Sequence, residues 1–257
     1  MTPIEDLRDK VAIVTGATKG MGRSTAILLA RSGAKVIATG RSEEAGAETA
    51  EMMRAAGGEG LFMRQDVTVE ADWKKVCEAA LSQFGGLDIL VNNAGVFMVK
   101  PIQETSEADF DWIYRTKVEG TFHGMKYGFE AMRKTGRGGS IVNVSSLMGQ
   151  VGFPSATAYC ATKGAITGMT KSAALEGADL TPPVRVNSLH PGVIWTEMIT
   201  DQFGDDAALQ QAFIEETPLK MIGLPEHMAD AIAYLISDQS SYVTGTELTV
   251  DGGRGAD

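Results

Sequence analysis

Short apolar runs alternate with longer amphipathic stretches along the whole chain. The runs Lys10–Thr15, Lys35–Thr39, Gly60–Arg64, Asp88–Val91, Ser140–Val144, Val184–Leu189 and Glu247–Val250 read as seven strands. Helical spacing predicts helices over Gly20–Ser32, Glu43–Ala56, Glu70–Phe84, Ser106–Arg133, Ser155–Ala178 and Ala229–Ile236. Ser106 and Glu107 are start signals for the long fourth helix. Strands that are apolar throughout, rather than alternating, belong to sheets covered on both faces. The pattern therefore predicts an α/β fold: one doubly wound domain with a seven-stranded parallel sheet and helices on both faces. Trp195–Leu224 has weak periodicity, and a connection that long inside a compact domain suggests a lid.

Composition narrows the classes. At 257 residues the chain has room for a sizeable core, and 44% hydrophobic with 22% charged residues is ordinary for a globular protein. The net charge of −10 argues against nucleic-acid binding and against docking on anionic membranes. No run is long enough to span a bilayer, and the polar start, MTPIEDLRDK, lacks a signal peptide's apolar core, so a cytoplasmic location is expected. Cys77 and Cys160 cannot form a disulfide framework, and His123, His190 and His227 show no metal-ligand spacing, so no metal is expected. The charge is uneven: residues 1–41 carry seven Lys and Arg against three Asp and Glu.

That positive segment contains the first chemical motif. The first strand runs into Thr15-Gly16-Ala17-Thr18-Lys19-Gly20-Met21-Gly22, and a helix follows. Glycines between a strand and a helix let the backbone approach a pyrophosphate, which then meets the helix N-terminus. Further along stand Asn92-Asn93-Ala94-Gly95, Ser146, Tyr159 and Lys163, Pro191-Gly192 with Thr196, and Val250-Asp251-Gly252-Gly253. Tyr159 and Lys163, at i and i+4 on a helix, face the same way. A lysine beside a tyrosine can favour the phenolate, which general base work near neutral pH requires.

Together these segments resemble the short-chain dehydrogenase/reductase family, in particular bacterial hydroxysteroid and alcohol dehydrogenases, over essentially the whole chain. The resemblance implies a Rossmann-type fold and an NAD(P)-dependent oxidoreductase that interconverts a secondary alcohol and a ketone by hydride transfer. It implies Ser146, Tyr159 and Lys163 as catalytic residues, with Ser146 rather than Ser145 selected by its spacing to Tyr159. It places the dinucleotide against Gly16, Thr18, Lys19, Gly20, Met21, Gly22, Arg41, Asp66, Val67, Asn93, Ala94 and Gly95. Tyr159, Lys163, Pro191, Gly192, Val193 and Thr196 complete that set. Gly40 stands where NAD-selective relatives commonly carry Asp, and Arg41 follows, so NADP(H) is favoured and NAD(H) remains possible. Homotetramers are common in the family, so a tetramer or dimer is expected.

Phe97, Met148, Phe153, Trp195 and Met198 border the expected substrate pocket, so a small-molecule substrate with a bulky apolar body, alicyclic or steroid-like, is expected. An acyl-thioester ketoreductase and a non-catalytic dinucleotide-sensing protein are the competing readings. One position departs from the family pattern. Aligning on Gly120 and Phe122 puts Lys117 where many members carry an Asn whose carbonyl holds a relay water. Either the cation weakens that relay, or the backbone does the work while the side chain turns toward a carboxylate.

Overall fold

In the computed structural model, which describes residues 7–256, alternate residues of each strand pack into opposite layers. In β1 (Val11–Val14), Ala12 and Val14 join one core while Val11 and Ile13 join the other. In β2 (Lys35–Gly40), Val36 and Ala38 go one way and Ile37 the other. In β4 (Ile89–Asn92), Ile89 and Val91 oppose Leu90. The side-chain period of two makes these strands serve two cores, so their central residues are apolar on both faces.

The remaining strands are β3 (Glu59–Arg64), β5 (Gly139–Val144), β6 (Val184–Pro191) and β7 (Glu247–Val250). All seven pair in parallel in the order β3-β2-β1-β4-β5-β6-β7. The order reverses between β1 and β4, which opens a crevice at their carboxyl ends. The first layer is formed by α1 (Gly20–Arg31), α2 (Glu43–Ala55) and α9 (Pro225–Ile236). The second comprises α3 (Glu70–Phe84), α5 (Gly120–Thr135) and α6 (Thr157–Ala178).

The long fourth helix expected over Ser106–Arg133 is interrupted. It comprises α4 (Glu107–Tyr114), a π-helical turn over Arg115–Glu119, and α5. Ser106 does start it, with Asp109 completing a reciprocal capping box. The stretch from Trp195 to Leu224 carries two short helices, α7 (Glu197–Phe203) and α8 (Ala207–Glu216). At 7 and 10 residues, each is too short for a clear periodic signal. No helix among the described residues is long and apolar enough to cross a membrane. Residues 1–6, most of the polar start considered above, lie outside the described residues.

One buried contact joins this scaffold to the crevice. Trp73 on α3 is fully buried, and its indole Nε1–H donates to the Val67 carbonyl at 2.9 Å, pinning the turn after β3. Trp73→Phe keeps most of the ring but orphans that carbonyl. It should lower unfolding free energy by about 1–3 kcal/mol, read as a lower urea midpoint at unchanged m.

Candidate active site

The crevice is braced from its floor. Thr15, the residue after β1, has a hydroxyl that receives the backbone N–H groups of Asn93 and Ala94, each at 3.0 Å. In return the Asn93 side-chain amide donates to the carbonyls of Thr15 at 2.8 Å and Gly16 at 3.2 Å. Asn93 thus holds the two loops on either side of the strand-order reversal together, while still lining the cleft above them.

The glycine loop has no room for side chains. Gly16 has φ +63°, and a Cβ there would lie 2.7 Å from the Ala94 Cα. Gly20 has φ +53° and opens α1, whose first turn carries no acidic residue and whose preceding Lys19 gives no side-chain cap. The unsatisfied N–H groups of that turn are a ready anion site. A cleft of about 330 Å³ runs from this loop past Arg41, Asp66 and Val67 to Ala94, Gly95 and Thr196. Thr18, Lys19, Met21 and Gly22 also line it, as the sequence predicts. Gln65, which sequence reasoning missed, lines it too. Its Oε1 accepts the Thr39 hydroxyl at 2.6 Å, while its Nε2 is buried without a partner. These features fit a dinucleotide.

Two details bear on which dinucleotide. A Cβ on Gly40 would sit 2.5 Å from the Thr18 methyl, so a carboxylate side chain there collides unless Thr18 moves. Lys19 is not free on the rim: its Nζ pairs with Asp201 on α7 at 3.1 Å. Arg41 is exposed and lowers the Asp66 carboxyl. Burial raises that carboxyl, but Thr68's hydrogen bonds with help from Arg41 and Arg64 outweigh it, so it stays below its ordinary value.

A second pocket, of about 230 Å³, joins the first at Met21, Asn93, Gly95, Thr196 and Met198. It brings together Ser146, Tyr159 and Lys163 with Pro191, Gly192 and Val193. Ser146 lies just beyond β5, and its backbone carbonyl meets His190 Nδ1 at 2.9 Å, while Ser188 holds the other ring nitrogen at 2.9 Å. His190 is therefore a buried brace, and Ser145 is another, its hydroxyl donating to the Lys163 carbonyl at 3.0 Å. Lys163 Nζ donates to the Val144 carbonyl at 2.7 Å. Burial pushes the Tyr159 hydroxyl up to about 12, against a smaller lowering by the Ser146 hydroxyl. The lysine does not make it acidic in the ligand-free protein.

Of the residues expected against substrate, Phe97, Met148, Phe153 and Met198 line this pocket, and Trp195 does not. Ile194 bridges to Gly223, and the Trp195 N–H donates to the Gly223 carbonyl at 2.8 Å, so the backbone here is extended. Successive side chains of extended backbone point to opposite sides. Ile194 and Thr196 face the pocket and Trp195 faces away.

Lys117 does not turn toward a carboxylate. It is 3% exposed, lines the pocket, and sits with its Nζ 4.7 Å from the Tyr159 ring centre. A Cβ on Gly95 would lie 2.6 Å from that Nζ. The Lys163 Nζ lies 5.6 Å from the same ring centre. No carboxylate is among the groups that shift either lysine. The sequence carried a signal for this: Lys117 falls four residues after buried Ile113 and four before buried Thr121, on the apolar stripe. The π-helical turn, a feature common at functional sites, carries it there.

Comparison with known proteins agrees with this geometry. Residues 16–254 match the family model described as enoyl-(acyl carrier protein) reductase. The chain is 43% identical to a cyclopentanol dehydrogenase of Comamonas, over 96% of this chain and 97% of that one. It is 39% identical to an NADP-dependent (R)-specific alcohol dehydrogenase of Lentilactobacillus kefiri, again over 96% and 97%. The chain belongs to the short-chain dehydrogenase/reductase family. A crystal structure described as a short-chain alcohol dehydrogenase of Sinorhizobium meliloti superposes with a TM-score of 0.92 at 37% identity, covering 99% of this chain and 100% of that one. As a member of this family the protein is an NAD(P)-dependent oxidoreductase that interconverts alcohols and ketones, and it acts on a small molecule.

Two amines buried beside one ring, with no carboxylate among the groups that shift them, resist carrying two positive charges together. Burial lowers Lys117 to about 8 and Lys163 well below its ordinary value, Lys163 further because of Lys117. Both therefore bind protons less readily when folded than when unfolded. Below pH about 8 the charged Lys117 burdens the fold, and raising the pH from about 8 to 10.5 relieves that cost. Stability should rise across that window. Lys117→Met should flatten the rise, measured by urea denaturation of the ligand-free protein between pH 7.5 and 10.5.

Proposed function

We propose that the protein oxidises and forms a small ring-bearing secondary alcohol, with NADP(H) preferred over NAD(H). The observation that carries this reading is the apolar pocket that joins the dinucleotide cleft beside Ser146 and Tyr159. Its volume of about 230 Å³ is below the usual range for ligand pockets, roughly 300–1,000 Å³. That supports a single-ring substrate over a steroid. The cyclopentanol dehydrogenase among the relatives supports the same class. Exposed Arg41, the space denied to a side chain at Gly40, and the NADP-dependent relative support the cofactor preference.

When bound, the nicotinamide supplies or accepts the hydride. In reduction, the Ser146 hydroxyl donates a hydrogen bond to the substrate carbonyl and holds it beside Tyr159, whose hydroxyl gives up its proton to that oxygen. In oxidation Tyr159 must accept the proton. Bringing a hydroxyl from about 12 to near 7 requires about 7 kcal/mol of preference for the phenolate. One positive charge about 5 Å away supplies about 3 kcal/mol at an effective dielectric of 20. Both lysines are already in place when the hydroxyl stands at about 12, so the positive charge of the oxidised cofactor would be the added source of that preference. In reduction, a protonated Lys117 or Lys163, with Nζ 4.7 and 5.6 Å from the Tyr159 ring centre, restores the proton that Tyr159 gave up.

The description of the matching family model keeps an acyl-thioester substrate as the second reading. A panel of cyclic alcohols, cyclic ketones and acyl thioesters, followed by nicotinamide absorbance, tests the two. The first reading expects turnover of cyclopentanol or cyclohexanol, and turnover of thioesters alone overturns it. An oligomer is also proposed. Phe110 and Tyr114 on α4 and Phe122 on α5 are exposed, which supports burial of that face against a second copy. A monomeric mass by light scattering would count against it.

Tyr159→Phe should lower kcat at least ~10³-fold while leaving NADPH binding, read by cofactor fluorescence, within ~3-fold. Arg41→Ala should lower the ratio of kcat/KM with NADP to that with NAD by about tenfold or more.

A further inference from the structure

The pocket wall is a ladder of aromatic rings that starts at the reacting group. Phe97 meets Tyr159 edge-on at 4.8 Å, Phe203 of α7 lies 5.9 Å from Phe97, and Phe213 of α8 lies 6.1 Å from Phe203. Its last rung is a charge. The Arg254 guanidinium stands 6.0 Å from the Phe213 ring centre, in the turn that follows β7. Arg254 lines the same pocket as Ser146 and Tyr159.

The guanidinium is only partly satisfied. Its Nη2 pairs with the Glu216 carboxylate at the end of α8. Its Nη1 is buried and has no hydrogen-bond partner. A buried, unpaired donor on a cation bears its full desolvation cost, so native structures rarely leave one without a purpose. Glu216 already balances the positive charge. What remains is an unpartnered N–H donor on a residue that lines the pocket beyond Phe213, away from the polar groups around Ser146 and Tyr159.

We propose that Arg254 determines substrate specificity by donating a hydrogen bond from Nη1 to an acceptor oxygen on the substrate, at the end remote from the reacting carbinol. The substrate class is then a ring alcohol or ketone whose apolar body ends in a carbonyl or carboxylate. The ring lies along Phe97, Phe203 and Phe213 while Ser146 and Tyr159 engage the reacting oxygen. This assignment rests on the alcohol dehydrogenase reading above and adds the polarity of the far end of the substrate.

The test compares 4-alkylcyclohexanols with the same skeletons ending in a methyl ketone or a carboxylate, at two chain lengths. The wild-type enzyme should favour an acceptor-ended member over its alkyl partner by about tenfold or more in kcat/KM, mainly through KM. In Arg254→Met that ratio should fall to near one. Arg254→Lys, which keeps the charge and loses the fork, should give an intermediate ratio and decides the matter if Arg254→Met fails to bind NADPH. A preference for the carboxylate over the ketone assigns the acceptor as anionic, and equal preference assigns it as neutral or anionic. Either result supports a donor at Arg254. A ratio that does not change in the variants, or a wild-type enzyme with no preference at either length, overturns the assignment. Failure of the functional reading looks different, since then no secondary alcohol in the series is oxidised at all.

Discussion

Everything at this site depends on the parallel pairing of seven strands. In a parallel sheet every strand delivers its carboxyl end to the same edge. Gly16, Asn93, Ser146 and Gly192 follow β1, β4, β5 and β6, so four segments far apart in sequence meet along one edge. The β1–β4 junction is then secured by polar bonds rather than by packing, through Thr15 and the Asn93 amide. A shift of register at β1 would separate the glycine loop from the loop that carries Asn93, Ala94 and Gly95.

On that edge the chain places an unusual electrostatic load. Lys117, Lys163 and Tyr159 are all buried, and no carboxylate is among the groups that shift them. Burial disfavours the charged form of all three at once, raising the tyrosine and lowering the lysines. The ligand-free site thus favours the uncharged forms of these groups more than water would. A bound dinucleotide would change that balance directly, because its oxidised ring is positive and its phosphates are negative.

How much of this was legible beforehand varies with the range of the interaction. The strands and most helices follow from local pattern, and so does Ser106 as a helix start. Ser146, Tyr159 and Lys163 were legible because their spacing is local or nearly so, and the structure does gather them in one pocket. Trp195 shows the limit. Its apolar bulk suggested a pocket residue, yet its direction depends on a bridge to Gly223, 28 positions away. Lys19 is similar: a cation in the phosphate loop by sequence, it pairs with Asp201 once α7 is in place.

The sequence by itself determined the layers and the glycine loop, because periodicity and short spacing act through the backbone of a single segment, and it carried Ser146, Tyr159 and Lys163 as a match to the family's pattern. The tertiary structure decided three other matters. It turned Lys117 inward through a π-helical turn against Gly95 and Tyr159. It lined up Phe97, Phe203, Phe213 and Arg254 from three parts of the chain. It left single nitrogens of Gln65 and Arg254 buried without partners. Whether a polar atom is satisfied is a property of its neighbours in space, and no local pattern encodes it.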